Sequence, residues 1–460
     1  MITSRFRRED RQHQSLGRRW PPLGHAWKML EGPIVRNAAT LYGTTIVTSA
    51  LGFFYWLIAA RLVSARSIGI ASAIQSAALF LSLFCVLGLN TLVVSELSKD
   101  KTQGRALILT AAGVVGTFTL LLAGIAGFAL SMASSRLRPG LIWPSGIIIF
   151  VLLSIATSVL IVLDDSSIGL LRGDLQLKRN AVFAVSKLAI LPLLIFIWRS
   201  SVGLELEGAW LVGLIFSFAT LTRSLSKVTK GQSSHLLLKD LFEKRGLVLA
   251  HYALNISILS PGLITPIIVT LIVGAEANAR YTIAILVVSV INIIPIHLST
   301  VLFALVPGDE VALRHEVQKT MRLCLILAVL SAPFFLLASG FILGLFGRSY
   351  VGGEAALAIF GLTTYPYAIK THYVAISRIR GRMRRAAIAT LVGAALEISL
   401  AAVGAISYGV TGVAAGILTA LVIETLIFGP TVYRVLRVPP IHSKSDSDLA
   451  LETGAEEEAN

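Results

Sequence analysis

Charge is scarce in this chain. Asp, Glu, Lys and Arg make up 14% of its 460 residues, 55% are hydrophobic, and the mean hydropathy is +0.79. A soluble domain carries nearer a quarter charged residues, so a water-soluble globule is excluded. Cysteine is almost absent. Cys85 and Cys324 both fall in apolar runs, read as packing residues, and carry no information on redox compartment. Catalytic signatures are missing too. There is no Walker phosphate loop, no His-Glu-x-x-His, no Cys-x-x-Cys and no Gly-x-Ser-x-Gly. The chain therefore reads as a non-enzyme, with no cofactor and no metal. No soluble basic domain accompanies the net charge of +15, which argues against a nucleic-acid partner.

Long apolar runs are what the chain has instead. Twelve stretches fall at 38–61, 68–94, 106–131, 141–163, 181–198, 208–222, 247–273, 281–306, 323–346, 355–377, 386–407 and 411–433. A crossing of the bilayer needs about 20 apolar residues. Lipid leaves backbone groups unsatisfied, so each run is a helix, and none shows the alternation of a barrel strand. Of the 40 Lys and Arg, 31 lie in the N-terminal arm, the gaps after even-numbered spans and the tail. Seven lie on the other side, counting Arg61 at the end of span one, and two are inside spans. By the positive-inside rule both termini and the even gaps are cytoplasmic. The opposite gaps are only three to ten residues long, too short to hold the catalytic loop of a glycan-assembling enzyme.

The expected fold is all-α: a polytopic membrane protein of about 12 transmembrane helices in two pseudo-repeated six-helix lobes around a central cavity. The divisions are a basic arm at 1–36, lobes at 37–222 and 247–434, a cytoplasmic linker at 223–246 and a disordered tail at 435–460. Span one follows an arm with eight Lys and Arg, is longer than a signal core, and reads as retained. A faint echo joins the halves: Tyr42 precedes Gly69 as Tyr252 precedes Tyr281.

Polar residues within the spans form stripes at helical spacing. Span one carries Asn37, Thr44, Thr48 and Tyr55; span two, Ser72, Gln75 and Ser82. Span seven carries His251 and Asn255; span eight, Asn278, Thr282, Ser289, Asn292 and Ser299; span ten, Thr363, Lys370 and Ser377. One reading is glue between helices. The other, favoured for the set, is a shared aqueous cavity lined by Thr44, Thr48, Tyr55, Gln75, Asn255, Ser289, Asn292 and Lys370.

Ionisable groups are sharper signals, since a charge at the bilayer centre costs about 2.5–3.5 kcal/mol on insertion scales. Lys370 is read as functional, with ion pairing to Glu397 or Glu424 as the alternative. Glu397, Glu424 and His251 are candidates for coupling or ion pairing. Lys187 is placed two turns from the cytoplasmic end of span five, where snorkelling accounts for it. Arg61 reads as an interfacial anchor. Pro261, Gly262 and Pro266 in span seven mark a bent helix and a candidate gate hinge. The glycine pairs Gly340/Gly344 and Gly412/Gly416 read as close-packing positions.

Several short patterns, in order, carry a resemblance. Leu41-Tyr42, Gly52, Trp56, Ala60-Arg61 and Gly69 in the first half resemble the start of bacterial polysaccharide-export flippases of the multidrug/oligosaccharidyl-lipid/polysaccharide (MOP) exporter superfamily. Ala279-Arg280-Tyr281, Leu345-Phe346-Gly347 with Tyr350, Tyr408-Gly409 and Gly412-Val413-Ala414 extend it through the second half. The resemblance implies two lobes in a V and a cavity lined by spans one, two, seven and eight. It implies a polyprenyl-pyrophosphate-linked oligosaccharide, O-antigen-type, moved to the outer leaflet of the bacterial cytoplasmic membrane by alternating access. Basic candidates for the pyrophosphate are Arg61, Lys187, Arg280 and Lys370. The implied partners are that glycan lipid, the bilayer, and a glycan polymerase and glycosyltransferases, with the chain itself a monomer. Rival expectations are a small-molecule exporter of the multidrug type and a non-transporting scaffold of a glycan synthesis complex.

Overall fold

The computed structural model describes residues 33–99, 104–198, 202–229, 245–305 and 310–437. The arm at 1–32, the linker at 230–244 and the tail at 438–460 lie outside the described residues, as does the side chain of Thr44. Every described element is helical.

The first half contains α1 (Pro33–Leu62), α2 (Ala65–Cys85), α3 (Leu89–Lys99), α4 (Gly104–Ala133), α5 (Ser145–Gly169), α6 (Gly173–Trp198) and α7 (Leu204–Val228). The second contains α8 (Arg245–Ile272), α9 (Ala275–Leu305), α10 (Glu310–Phe346), α11 (Glu354–Gly361), α12 (Thr364–Ile379) and α13 (Met383–Arg437). Nine helices among the described residues are long and apolar enough to cross a membrane. The twelve expected spans are recovered when α1, α11 with α12, and the second arm of α13 are added.

Three departures from the expected spans have local causes. Span two is two helices, because Leu87 (φ 50°) and Gly88 (φ 77°) take left-handed conformations and end α2. Span ten breaks at Leu362 and Thr363. Pro366 sits in the first turn of α12, where its missing N–H costs nothing. Spans eleven and twelve are one element that reverses at Tyr408 and Gly409 (φ 57°). The spans expected to be short are full length, at 26 residues for α6 and 25 for α7.

The exterior of the bundle is apolar. Leu337 is 85% exposed and Phe341 74% on α10, and Ile125 is 67% exposed on α4. Such surface is stable only against hydrocarbon. Inside, Ile74, Val93, Leu97, Val115, Phe150 and Leu160 form a core of the first half. A second core crosses between halves, joining Tyr55, Ile68, Leu191 and Leu206 to Val269, Ile283, Phe346 and Phe360. Cys85 and Cys324 are buried and unbridged.

One turn recurs. The amide of Arg172 donates to Ser167 after α5, and that of Arg382 to Ser377 after α12, both at 2.8 Å. Leu171 (φ 59°) and Gly381 (φ 66°) hold the left-handed position that this cap requires. At the end of α12, Arg380 also binds Glu310 of α10 through a pair at 2.7 Å. That hydrogen bond holds the Glu310 carboxyl below the usual carboxylate range.

The arms of α13 touch through backbone. A Cβ on Gly412 would meet the Gly404 carbonyl, and one on Gly416 the Leu400 carbonyl. Gly344 is different, since a Cβ there meets nothing within 4 Å. We expect Gly412→Val to destabilise the protein by about 1–3 kcal/mol through overpacking. Gly124→Ala, into open space, serves as the neutral comparison. Thermal unfolding in detergent checks both.

Candidate functional site

A cavity of about 480 Å³ lies within the bundle, in the range of small-ligand sites. Five helices of the second half build it, and Ser49 of α1 closes it from the first. α8 contributes Pro261 and Gly262, and α9 contributes Ser289 and Asn292. Tyr367 and Lys370 come from α12, and Glu397 from α13. The side-chain oxygen of Asn292 is buried and accepts no hydrogen bond among the described residues. A polar atom in that state calls for water or a ligand donor.

Lys370 is 4% exposed and stands between two acids. Its Nζ pairs with Glu397 Oε1 and lies 3.1 Å from Glu424 Oε2. Glu397 and Glu424 sit midway along the two arms of α13, so the hairpin brings them together. Gly393 makes room, because a Cβ there would touch the Glu424 carboxylate. Both acids therefore share one cation, and the ionised triad is one charge short of neutral. Carboxylates can neither leave the interior nor stay unpaired cheaply. The cluster thus holds two carboxyl groups to one ammonium in a buried setting.

The other expected site residues are distributed elsewhere. Thr48 of α1 does not line this cavity. Tyr55 is fully buried, and its hydroxyl donates to the Leu206 carbonyl at 3.1 Å inside the first half. Gln75 is buried on α2, with its amide nitrogen unpaired. His251 and Asn255 line a second cavity of about 420 Å³ near the arginine-rich end, with Arg378. There Arg378 Nη2 donates to Asn255 Oδ1 at 3.2 Å. Pro266 lies outside both cavities, and α8 runs unbroken through all three expected hinge residues.

Lys187 requires a correction. α6 starts at Gly173, so Lys187 stands nearly four turns in, about 20 Å along the helix. It is 5% exposed, and its Nζ lies 4.6–4.7 Å from the ring centroids of Tyr55, Phe183 and Trp210. Snorkelling is excluded. The cation is held by aromatic faces instead.

Arg61 also has a defined partner. Its Nε donates to the Leu345 carbonyl at 2.8 Å, and its Nη2 to Gly344 at 3.3 Å. These are carbonyls of the last turn of α10, which a cation caps favourably. Arg136, in the turn before α5, caps α8 in the same way by donating to Leu271 at 2.9 Å. Asn278 of α9 donates to the Gly69 carbonyl at 2.8 Å and to Ser72 at 2.9 Å, and Thr282 reaches Ser72 at 3.0 Å. α2 and α9 approach so closely there that a Cβ on Gly69 would strike the Ala275 carbonyl. These bonds all fasten the two halves at the arginine-poor end. Nearer the other end, Tyr252 bonds the Phe84 carbonyl.

Sequence reasoning found the triad residues and the polar face of α9. It missed Ser49, Gly393 and Arg136. The first two act by position rather than chemistry, and Arg136 lies in a turn between spans.

No protein-family model matches the chain, and no curated protein matches it either. Solved structures do. The inward-facing conformation of a multidrug resistance MATE family transporter of the MOP superfamily superposes with a TM-score of 0.61 at 14% identity, covering 86% of this chain and 98% of that one. The lipid II flippase MurJ, in an inward closed conformation, gives 0.71 at 15% identity, covering 85% and 87%. A mutant of the Vibrio cholerae MATE transporter VcmN gives 0.54 at 14%, covering 89% and 99%. At these identities the likeness establishes the fold. The chain has the architecture of MOP superfamily transporters and is a multi-pass membrane protein.

Lys370→Met leaves two buried carboxylates without their cation and is expected to destabilise the protein by about 3–5 kcal/mol. Adding Glu397→Gln and Glu424→Gln restores most of that loss. Thermal unfolding of the single and triple variants decides it.

Proposed function

We propose that this protein is an alternating-access flippase for a polyprenyl-pyrophosphate-linked oligosaccharide. The single observation that carries the reading is the amphipathic cavity, apolar but for a few groups such as Asn292 and Lys370, beside a seam whose hydrogen bonds cluster at one end. A seam held this way can part at one end and then the other. Each neutral bond is worth about 0.5–1.5 kcal/mol net and each charged one about 1.5–3. Their total suits an equilibrium that a cargo can shift.

In this reading the lobes are 37–222 and 247–434, and the arginine-rich end faces the bacterial cytoplasm. The sugar passes when the halves separate. The lipid tail stays in hydrocarbon. Leu259 and Ile296, exposed apolar residues of the lining, give the cavity an amphipathic rim suited to such a cargo. The fold shared with a lipid II flippase supports the same reading. Coupling falls to the Lys370–Glu397–Glu424 triad, whose ion pairs re-form as a proton or cation binds.

A second reading, export of small cations, draws on the uncompensated acid in the triad and on the fold shared with multidrug transporters. Proteoliposomes separate the two. A labelled polyprenyl-pyrophosphate oligosaccharide should become exposed on the opposite leaflet, at a rate that falls about tenfold or more in Lys370→Ala, as loss of a transition- or state-specific charge contact implies. Dye efflux without glycan movement would instead establish the cation exporter, and neither activity would leave a scaffold.

The seam makes its own prediction. In the combined variant Arg61→Ala, Arg136→Ala, Asn278→Ala, spin labels at the exposed Trp143 and Tyr408 should report a new, longer distance population. A distribution identical to that of the unaltered seam contradicts the gating role.

A further inference from the structure

Cations are rare at the arginine-poor end, yet three of the seven converge. Arg66, Arg136 and Arg280 line one cavity of about 400 Å³. They arrive from separate segments: the start of α2, the turn before α5 and the start of α9. The remaining lining is residues 273–277, including the first turn of α9. The first amide to bond back at that terminus is Asn278, to Gly274. The amides of Ala275, Glu276 and Ala277 therefore precede the helical ladder and have no intrahelical acceptor.

The arginines are positioned but not consumed. Arg136 gives Nη1 to Leu271, and Arg280 gives Nε to Ser349 at 3.0 Å. Each bond uses one of five N–H donors and tethers the guanidinium. Arg66 makes no hydrogen bond among the described residues. Glu276 is the one carboxylate on the lining. It is exposed and forms no ion pair with the three arginines. Guanidinium forks with free donors beside a helix N-terminus suit an oxyanion with several oxygens.

We propose that this cavity is a phosphoryl-binding site at the arginine-poor mouth, distinct from the cavity that holds Lys370. Its ligand is a phosphate or pyrophosphate group. The group comes either from an ordinary anionic phospholipid or from the cargo headgroup after crossing, and only the second source rests on the flippase reading.

The test uses full-length protein in phosphatidylcholine nanodiscs, titrated with inorganic pyrophosphate and with sulfate at equal ionic strength. Pyrophosphate should bind more tightly than sulfate. Arg66→Glu, which breaks no internal bond, and Arg66→Ala/Arg280→Ala should each weaken it about tenfold or more, the scale of a lost charge-assisted contact. Arg322→Ala, exposed at the opposite end, should leave it unchanged. Equal affinity in wild type and both variants overturns the proposal, and so does an equal response to sulfate. Repeating the titration in phosphatidylglycerol discs assigns the source. Competition by the lipid identifies a headgroup site, and undiminished affinity identifies a site for the free or cargo pyrophosphate. Both support the site. A protein that binds pyrophosphate here but moves no glycan in proteoliposomes keeps this site and loses the flippase reading.

Discussion

A peptide group in hydrocarbon has no partner except another peptide group or a side chain brought to it. That constraint makes each described element helical and forces every break in a helix to occur where something else satisfies the backbone. The breaks here obey it. Left-handed turns with their own hydrogen bonds close α5 and α12, and Pro366 sits where no N–H is wanted. At the ends of α8 and α10, Arg136 and Arg61 supply donors to carbonyls that would otherwise lack them.

The same constraint explains why charge is so informative. A membrane interior tolerates ions only in compensated groups, and this bundle contains several solutions. Lys370 is shared by two acids, Arg179 pairs with Asp164, and Lys187 is wrapped by three aromatic rings. Of these, only the first lines the cavity of the second half, and it sets two carboxyl groups against one cation.

Much of the architecture was legible because hydropathy and positive-charge placement are coarse signals that survive without tertiary information. Spans three and seven match α4 and α8 closely at both ends, whereas α10 begins at Glu310, well before the expected start of span nine at 323. The break in span two could not be read, because Leu87 gives no sign of its left-handed backbone. Lys187 was misplaced by an underestimated helix start: Gly173 to Arg179 reads as polar loop, but its apolar positions are packed and Arg179 finds Asp164. The candidate cavity was visible through Ser289, Asn292, Lys370 and Glu397, which stand out as polar groups in apolar helices. Tyr55 and Gln75 share that signature but do not line this cavity, since a stripe says that a helix has a polar side without saying which neighbour it meets.

The seam has a consequence for how such a protein diverges. Arg61, Arg136, Asn278 and Tyr252 all direct hydrogen bonds to main-chain oxygens across the interface. A main-chain oxygen is present whatever residue carries it. Substitutions at Leu345, Leu271 or Phe84 cannot delete the acceptor, so no compensating change is ever demanded of the donor. Pairs of positions that evolve together, the usual trace of an interface, should therefore be faint among these bonds, and Ser72, which accepts through its own hydroxyl from Asn278 and Thr282, is where such a trace should show.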